Sequence, residues 1–379
     1  MNIPLFIAGL ILILVVLGDA FETMVLPRRV TRRVRLARLF FRYSWKCWLL
    51  IARLIPGRRS VDTFLGFFGP FTMLMLIILW ASGLVFGFAI MLFASGSTLT
   101  MQTGIVGFGT YLYMSGTSLF TLGLGDVTTT TPLGRGLIAA ESGLGLGFLA
   151  LVISYLPLLN QSFSRREVTI SLLDAHAGSP PTAAELIRRH IHDNDVDELR
   201  QHLHEWERWS AELLESHLSY PVLAQFRSHH DNQSWLGSLA VILDTCAFVL
   251  AGIEGVCKDQ AKFTFAMTRH AIVDIAQIFN CPPIHPEKDR LPKAELEHLC
   301  TLLSGEGLKL EEAHVIEKAL KELRSMYEPY IHALSIYLHI TIPPWISRTK
   351  RPDDWQTSRW DTADIERKKL LKEIWDDHF

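Results

Sequence analysis

Apolar positions are not spread evenly along this chain; three long uncharged runs occupy most of its first 160 residues. The first covers residues 3–26 and meets its only charges, Asp19 and Glu22, near its end. The second lies within 61–94, where no charged residue occurs between Phe64 and Ala94, and Pro70 sits where a first helical turn needs no amide donor. The third runs from Leu137 to Leu159. Each is long enough to predict a membrane-spanning helix, so the chain reads as a membrane protein. From residue 161 the pattern changes to amphipathic stretches of helical period separated by short breakers, without strand-like runs. These predict helices opening at Thr182 and ending at Ile191, then over 194–217, 234–254, 259–279, 292–304, 309–339 and 362–375. Thr182 and Glu185 have capping-box spacing after Pro180 and Pro181. Trp235 to Ile253 is apolar apart from Asp244, whose central charge favours a buried core helix over a fourth span.

Charge fixes the expected orientation. Residues 1–160 carry 12 Lys/Arg against 5 Asp/Glu, whereas 161–379 carry 25 against 34. Between the first two runs lie Arg28, Arg29, Arg32, Arg33, Arg35 and further basic residues to Arg59, with no acid among them. Such a segment belongs on the cytoplasmic side. Its apolar positions, Trp45 and Trp48 included, recur near helical spacing, as in a helix lying among headgroups with its arginines facing anionic lipid. Nucleic acid is the poorer partner for a basic segment between two spans. Ser95 to Leu133 holds no Lys or Arg and one acid, Asp126, and is expected outside. The predicted protein is therefore multi-pass in the cell (inner) membrane, with its N-terminus outside and its large C-terminal domain cytoplasmic. The first run lacks a basic n-region and reads as a retained helix, not a cleaved signal. Five cysteines without a CxxC pair suit a reducing compartment. The resulting division is an N-terminal helix at 1–27, a basic amphipathic linker at 28–60, a membrane unit at 61–160 and a helical domain at 161–379.

Within the outside segment, Thr121-Leu122-Gly123-Leu124-Gly125-Asp126 carries candidate chemistry. Replacing the water around a permeating cation requires successive backbone carbonyls to aim at one axis. Alternate glycines allow the backbone angles this needs. Thr121 can add its hydroxyl, and Tyr111 to Phe120 can form a re-entrant helix whose carboxyl end points a negative dipole inward. Irregular backbone at membrane depth is tolerated where it lines water. Val106-Gly107-Phe108-Gly109 has a similar composition, but no acid follows it, and it reads as the loop leading into the re-entrant helix.

Residues 110–160 resemble the pore of the potassium-channel superfamily in the order pore helix, filter, inner helix, and TLGLGDVTTTTPLGR at 121–135 is similar to its TVGYGD segment and the Gly-Arg opening its inner helix. The resemblance implies an all-α pore domain, here with an extra N-terminal helix and a helical cytoplasmic domain. It also implies a homotetramer, since one filter per chain supplies a quarter of a pore, and potassium as permeant ion with no cofactor. Leu122 replaces a valine, as in some two-pore-domain channels, and Leu124 replaces the usual aromatic. Thr117 stands where some relatives have a glutamate bracing the aspartate, here Asp126, so that brace is expected to be missing.

In the inner helix, the resemblance puts Gly145 at the gating hinge. Gly143, Gly145 and Gly147 equally suit close helix packing. Pro157 is expected to kink or end the helix. Glu141, an acid in an apolar helix, is a functional candidate or a structural hydrogen-bonding group behind the pore helix. Asp19 and Glu22 are expected to pair with nearby arginines. All 15 histidines follow residue 161, and the spacing of His190, His192, His202 and His204 matches no metal motif, so solvated helix faces are expected and no metal. No Rossmann fingerprint is present, and no nucleophile, metal or acid–base set suggests an enzyme. The function expected is passive, potassium-selective flux, against a weakly selective cation channel or a membrane-anchored signalling receptor with a vestigial pore.

Overall fold

A computed structural model describes residues 1–25, 36–101, 106–190, 197–230, 232–253 and 257–347. The chain divides into two compact units, Met1–Ser162 and Phe163–Phe379. Arg28, Arg29, Arg32, Arg33, Arg35, His192 and the helix expected at 362–375 lie outside the described residues.

The first unit opens with α1, Ile3–Met24, whose start is capped by the Asn2 side chain accepting from the Leu5 amide. Then follow α2 at Leu36–Ala52, α3 at Arg58–Gly66 and α4 at Phe68–Ala94. Helices α1 and α4 pack at close range because small residues leave room for backbone contact. A Cβ on Gly87 would lie 2.5 Å from the Ile13 side chain, and one on Gly83 2.8 Å from Val16. On the other helix, a Cβ at Gly9 would meet the Gly87 carbonyl at 2.7 Å. Gly83 and Gly87 form a small-xxx-small pair, a signal present in the sequence that charge and hydropathy patterning pass over.

Asp19 is buried in this unit and accepts from the Trp80 indole at 2.9 Å and the Ala37 amide at 3.0 Å. The second bond satisfies an amide of the first turn of α2 that has no partner within its own helix. The carboxylate expected to pair with arginines thus fastens three helices together. Along α2, Arg38, Arg42 and Lys46 form an exposed stripe. The two tryptophans of α2 are packed against neighbouring helices. Trp45 is 3% exposed and packs edge-on against Phe68, while Trp48 stacks on Phe64 and donates to its carbonyl at 3.1 Å. Their large apolar area is used to hold α2 on α3 and α4.

After α4 come β1 at Leu99–Met101, α5 at Phe108–Leu119, β2 at Val127–Thr129 and α6 at Pro132–Ala177. The strands pair antiparallel, with Leu99 opposite Thr129 and Met101 opposite Val127. Gly107 caps α5 and Phe108 opens it, so the re-entrant helix starts three residues before Tyr111 and takes in the Phe108-Gly109 pair expected in the loop. Helix α6 runs through Pro157 without ending there. Its residues to Ser162 belong to the first unit and those from Phe163 to the second.

The second unit contains α7 at Ala183–His190, α8 at Asp197–Ser219, α9 at Trp235–Gly252, α10 at Lys258–Ile278, α11 at Lys293–Gly305, α12 at Ala313–Ser325 and α13 at Glu328–Leu338. Helix α9 is long and apolar enough to cross a membrane, but 94% of it is buried inside the unit, packed by α7, α8, α10, α12 and α13. Its one charge is met by two residues from other segments. Arg290 donates to both Asp244 oxygens, at 2.6 and 3.2 Å, and the Tyr327 hydroxyl donates at 2.7 Å. Arg290 and Arg324 both reach Glu328, at 3.2 and 3.0 Å, so the buried charges form one connected group. The helix expected over 309–339 is broken into α12 and α13 just before Pro329, which lacks an amide hydrogen and suits a first turn. At α7 the Glu185 amide donates to Thr182 Oγ1 at 3.3 Å, as the cap predicts, while the Glu185 carboxylate turns to Arg188 and Arg189.

Candidate functional site

The paired strands β1 and β2 close a loop whose contents are α5 and residues 120–126. Hydroxyls tie its neck: Tyr111 donates to the Ser97 carbonyl at 2.8 Å, and Thr98 and Thr130 are 2.5 Å apart. Tyr111 also packs with Ala89 and Leu92 of α4, which seats the first half of α5. The helix then hands over to irregular backbone through its own last carbonyls. Gly116, Thr117 and Ser118 carbonyls accept from the amides of Phe120, Leu122 and Thr121 at 3.2, 2.8 and 3.0 Å.

From there the backbone alternates in hand. Thr121, Gly123 and Gly125 have φ of 55°, 55° and 75°, whereas Leu122 and Leu124 between them do not take positive values. An ordinary strand turns successive peptide groups to opposite sides. Alternation of hand turns them the same way, which gathers carbonyls along one edge of the segment. Two of the three positive angles fall on glycine, where they are free of a Cβ penalty, and the third strains a β-branched threonine. That is an arrangement for replacing a cation's water with backbone oxygen.

Asp126, at the end of the segment, is braced from α5. The Tyr113 hydroxyl donates to its Oδ2 at 2.8 Å, and the Val127 amide donates to Oδ1 at 3.0 Å. The brace from position 117 is missing, as expected, and a different residue takes its place. Thr117 instead donates to the Met114 carbonyl within α5, and the brace comes from one helical turn earlier. Tyr113 offers a donor with the reach to cross from the helix to the loop, a pairing visible only once both are folded.

The inner helix treats its three glycines differently. A Cβ on Gly145 would fall 1.9 Å from the Leu119 carbonyl, so at this position α6 lies directly against the end of the pore helix. Gly143 and Gly147 have nothing within 4 Å in a single chain. Nearby, Ser142 donates to the Ser118 carbonyl at 3.1 Å. Glu141 is fully buried and bonded to the Ser115 hydroxyl, which also contacts the Val85 carbonyl at 2.8 Å. The acid thus joins α6 to α5 and α4 behind the pore loop, the structural role weighed for it from sequence.

The histidines of the second unit do not all lie on solvated faces. His190, His202 and His217 are buried, and burial pushes His202 and His217 down to about 3. His190 and His202 meet His176, a residue the sequence spacing does not single out, from the last turn of α6. One ring nitrogen from each of the three lies within 4.8 Å of the other two, a grouping that could hold a metal ion. His204, by contrast, is exposed beside Glu207.

Residues 72–158 match the model of a family described as ion channel. No curated protein and no solved structure matches the chain. The matched span takes in most of α4, all of α5, residues 120–126 and the membrane part of α6, which are the elements that build the site.

Proposed function

We propose, from the premise that residues 72–158 are a pore domain of the potassium-channel superfamily, that this chain is one subunit of a passive, potassium-selective channel made of four copies. The observation that carries the proposal is the alternation of hand at Thr121, Gly123 and Gly125. Potassium holds its water less tightly than sodium, so a ladder of carbonyls and the Thr121 hydroxyl replaces it at lower cost. The Tyr113 hydroxyl on Asp126 supports the ladder from outside, and Gly145 lets α6 brace the end of α5 from behind. Leu122 and Leu124 are each 61% exposed in a single chain, so whatever packs behind the filter comes from neighbouring copies. In this reading the filter faces outside and the second unit lies in the cytoplasm, which the charge distribution supports. The exposed stripe of Arg38, Arg42 and Lys46 then lies level with anionic headgroups, with Arg28, Arg29, Arg32, Arg33 and Arg35 preceding it.

A weakly selective cation channel is the second reading, favoured by one feature: Leu124 has no hydroxyl or ring nitrogen with which to hold the filter to its surroundings. The reversal potential of purified protein in planar bilayers, with potassium on one side and sodium on the other, separates the two. A value close to the potassium equilibrium potential is expected. A value near zero assigns the pore to the second reading.

A further inference from the structure

We infer that His176, His190 and His202 form a binding site for a divalent transition-metal ion of the class that prefers imidazole nitrogen, Zn2+ foremost. The three side chains come from three successive helices of the second unit: the last turn of α6, the end of α7 and the first half of α8. Their ring centroids are 4.7 to 4.9 Å apart, and His176 Nδ1 stands 3.0 Å from His190 Nε2. In a tetrahedral zinc site with metal–nitrogen bonds of about 2.0–2.1 Å, ligand nitrogens are separated by roughly 3.3 Å. The nitrogens here, all within 4.8 Å of one another, reach that spacing by small rotations of the rings.

The bonds around the cluster distinguish it from histidines that merely fill a core. His190 Nδ1 is 2.8 Å from the Leu186 carbonyl, which can only accept, so Nδ1 carries the proton and the Nε2 lone pair is turned to His176. A ligand histidine is oriented in the same way, with its second nitrogen donating to a backbone carbonyl. His202 Nε2 accepts from the Trp206 indole at 3.0 Å, a bond that gives way when the ring takes up a metal. Two buried rings and one partly exposed ring face one another, with no carboxylate hydrogen-bonded to them among the described residues. A cation bound there would engage one nitrogen of each ring. Nitrogen-only ligation excludes the hard ions Mg2+ and Ca2+ and the soft thiolate-seeking ones, and three protein ligands leave a fourth position for water. Binding would tie α7 and α8 to the end of α6.

The inference is independent of the pore reading, and its test measures no current. Full-length protein in detergent is stripped with a chelator and titrated with Co2+. One Co2+ per chain is expected, with the visible bands of a tetrahedral site, displaced by equimolar Zn2+, which also raises the melting temperature. His190→Gln and His202→Gln should each weaken Zn2+ binding by at least about 100-fold and remove the bands, while His204→Gln, exposed on the same helix, should change neither. Glutamine keeps the polarity and much of the volume. If either variant fails to melt cooperatively, His176→Gln, on the partly exposed ring, gives the same reading. Absence of stoichiometric binding by the wild type would overturn the inference. So would wild-type affinity in the variants, which would assign the ion to surface histidines.

Discussion

At the scale of single residues, Gly145 is where a hinge and a packing contact can be told apart. A methyl group there would have to occupy space 1.9 Å from the Leu119 carbonyl, which is backbone at the end of α5 and cannot swing away. Gly145→Ala is therefore expected to cost at least about 1–3 kcal/mol, the range for overpacking, and to lower the melting temperature of the detergent-solubilised protein. Gly143→Ala and Gly147→Ala, with nothing within 4 Å in the chain, should melt within about 0.5 kcal/mol of wild type unless a neighbouring copy closes on them. A normal melt for Gly145→Ala would return this position to a purely flexible role. The contrast also marks what sequence can carry. Thr121 to Asp126 is legible because its chemistry is contiguous and its glycines alternate. The Tyr113 brace is not, because it joins residues thirteen apart across a turn whose geometry no local pattern specifies.

At the scale of elements, α9 shows how a helix apolar enough to span a membrane is claimed by the core of the second unit. Asp244 is what makes the difference, and it is tolerable only because Arg290 and Tyr327 arrive from two other segments to meet it. Removing one partner leaves an uncompensated buried charge, so Arg290→Met is expected to destabilise the second unit by about 3–5 kcal/mol. Replacing both, as Asp244→Leu with Arg290→Met, should recover most of that loss, since Glu328 keeps Arg324. Calorimetry of the full-length variants checks both, and a single variant as stable as the double would mean that water reaches the pair. Helix positions in this unit were largely legible from period and breakers. One exception, the break at Met326 and Tyr327 ahead of Pro329, fell inside a run whose apolar spacing continues unbroken across it, and another is the continuation of α6 to Ala177. The three histidines were illegible as a group for a related reason: His176 stands fourteen residues from His190 and belongs to the far end of the helix that begins at Pro132. Periodicity describes one helix at a time, and neither pairing lies within one helix.

For the whole molecule, the decisive quantity is how many chains one conducting unit needs. Among the described residues each chain supplies one segment of alternating hand, with carbonyls gathered to one edge and no second segment to face them, so the proposed ring would be closed by symmetry-related copies. A defect in one copy should then spoil the ring. Gly123 has φ of 55° and nothing within 4 Å, so Gly123→Val is spoiled by its backbone angle and not by crowding. A β-branched residue there is pushed out of the conformation that aims its carbonyl. Co-expressed in equal amounts with wild type, such subunits mix at random. If four chains form the pore and one defective chain silences it, current falls to about one-sixteenth of the wild-type level. Two-chain units would retain about a quarter, and pores formed within single chains about half, by the same reasoning. Recordings at matched total expression distinguish these values readily. A residue near one-sixteenth would also tie conduction to the backbone of Thr121 to Gly125, because the variant leaves the rest of the chain unchanged.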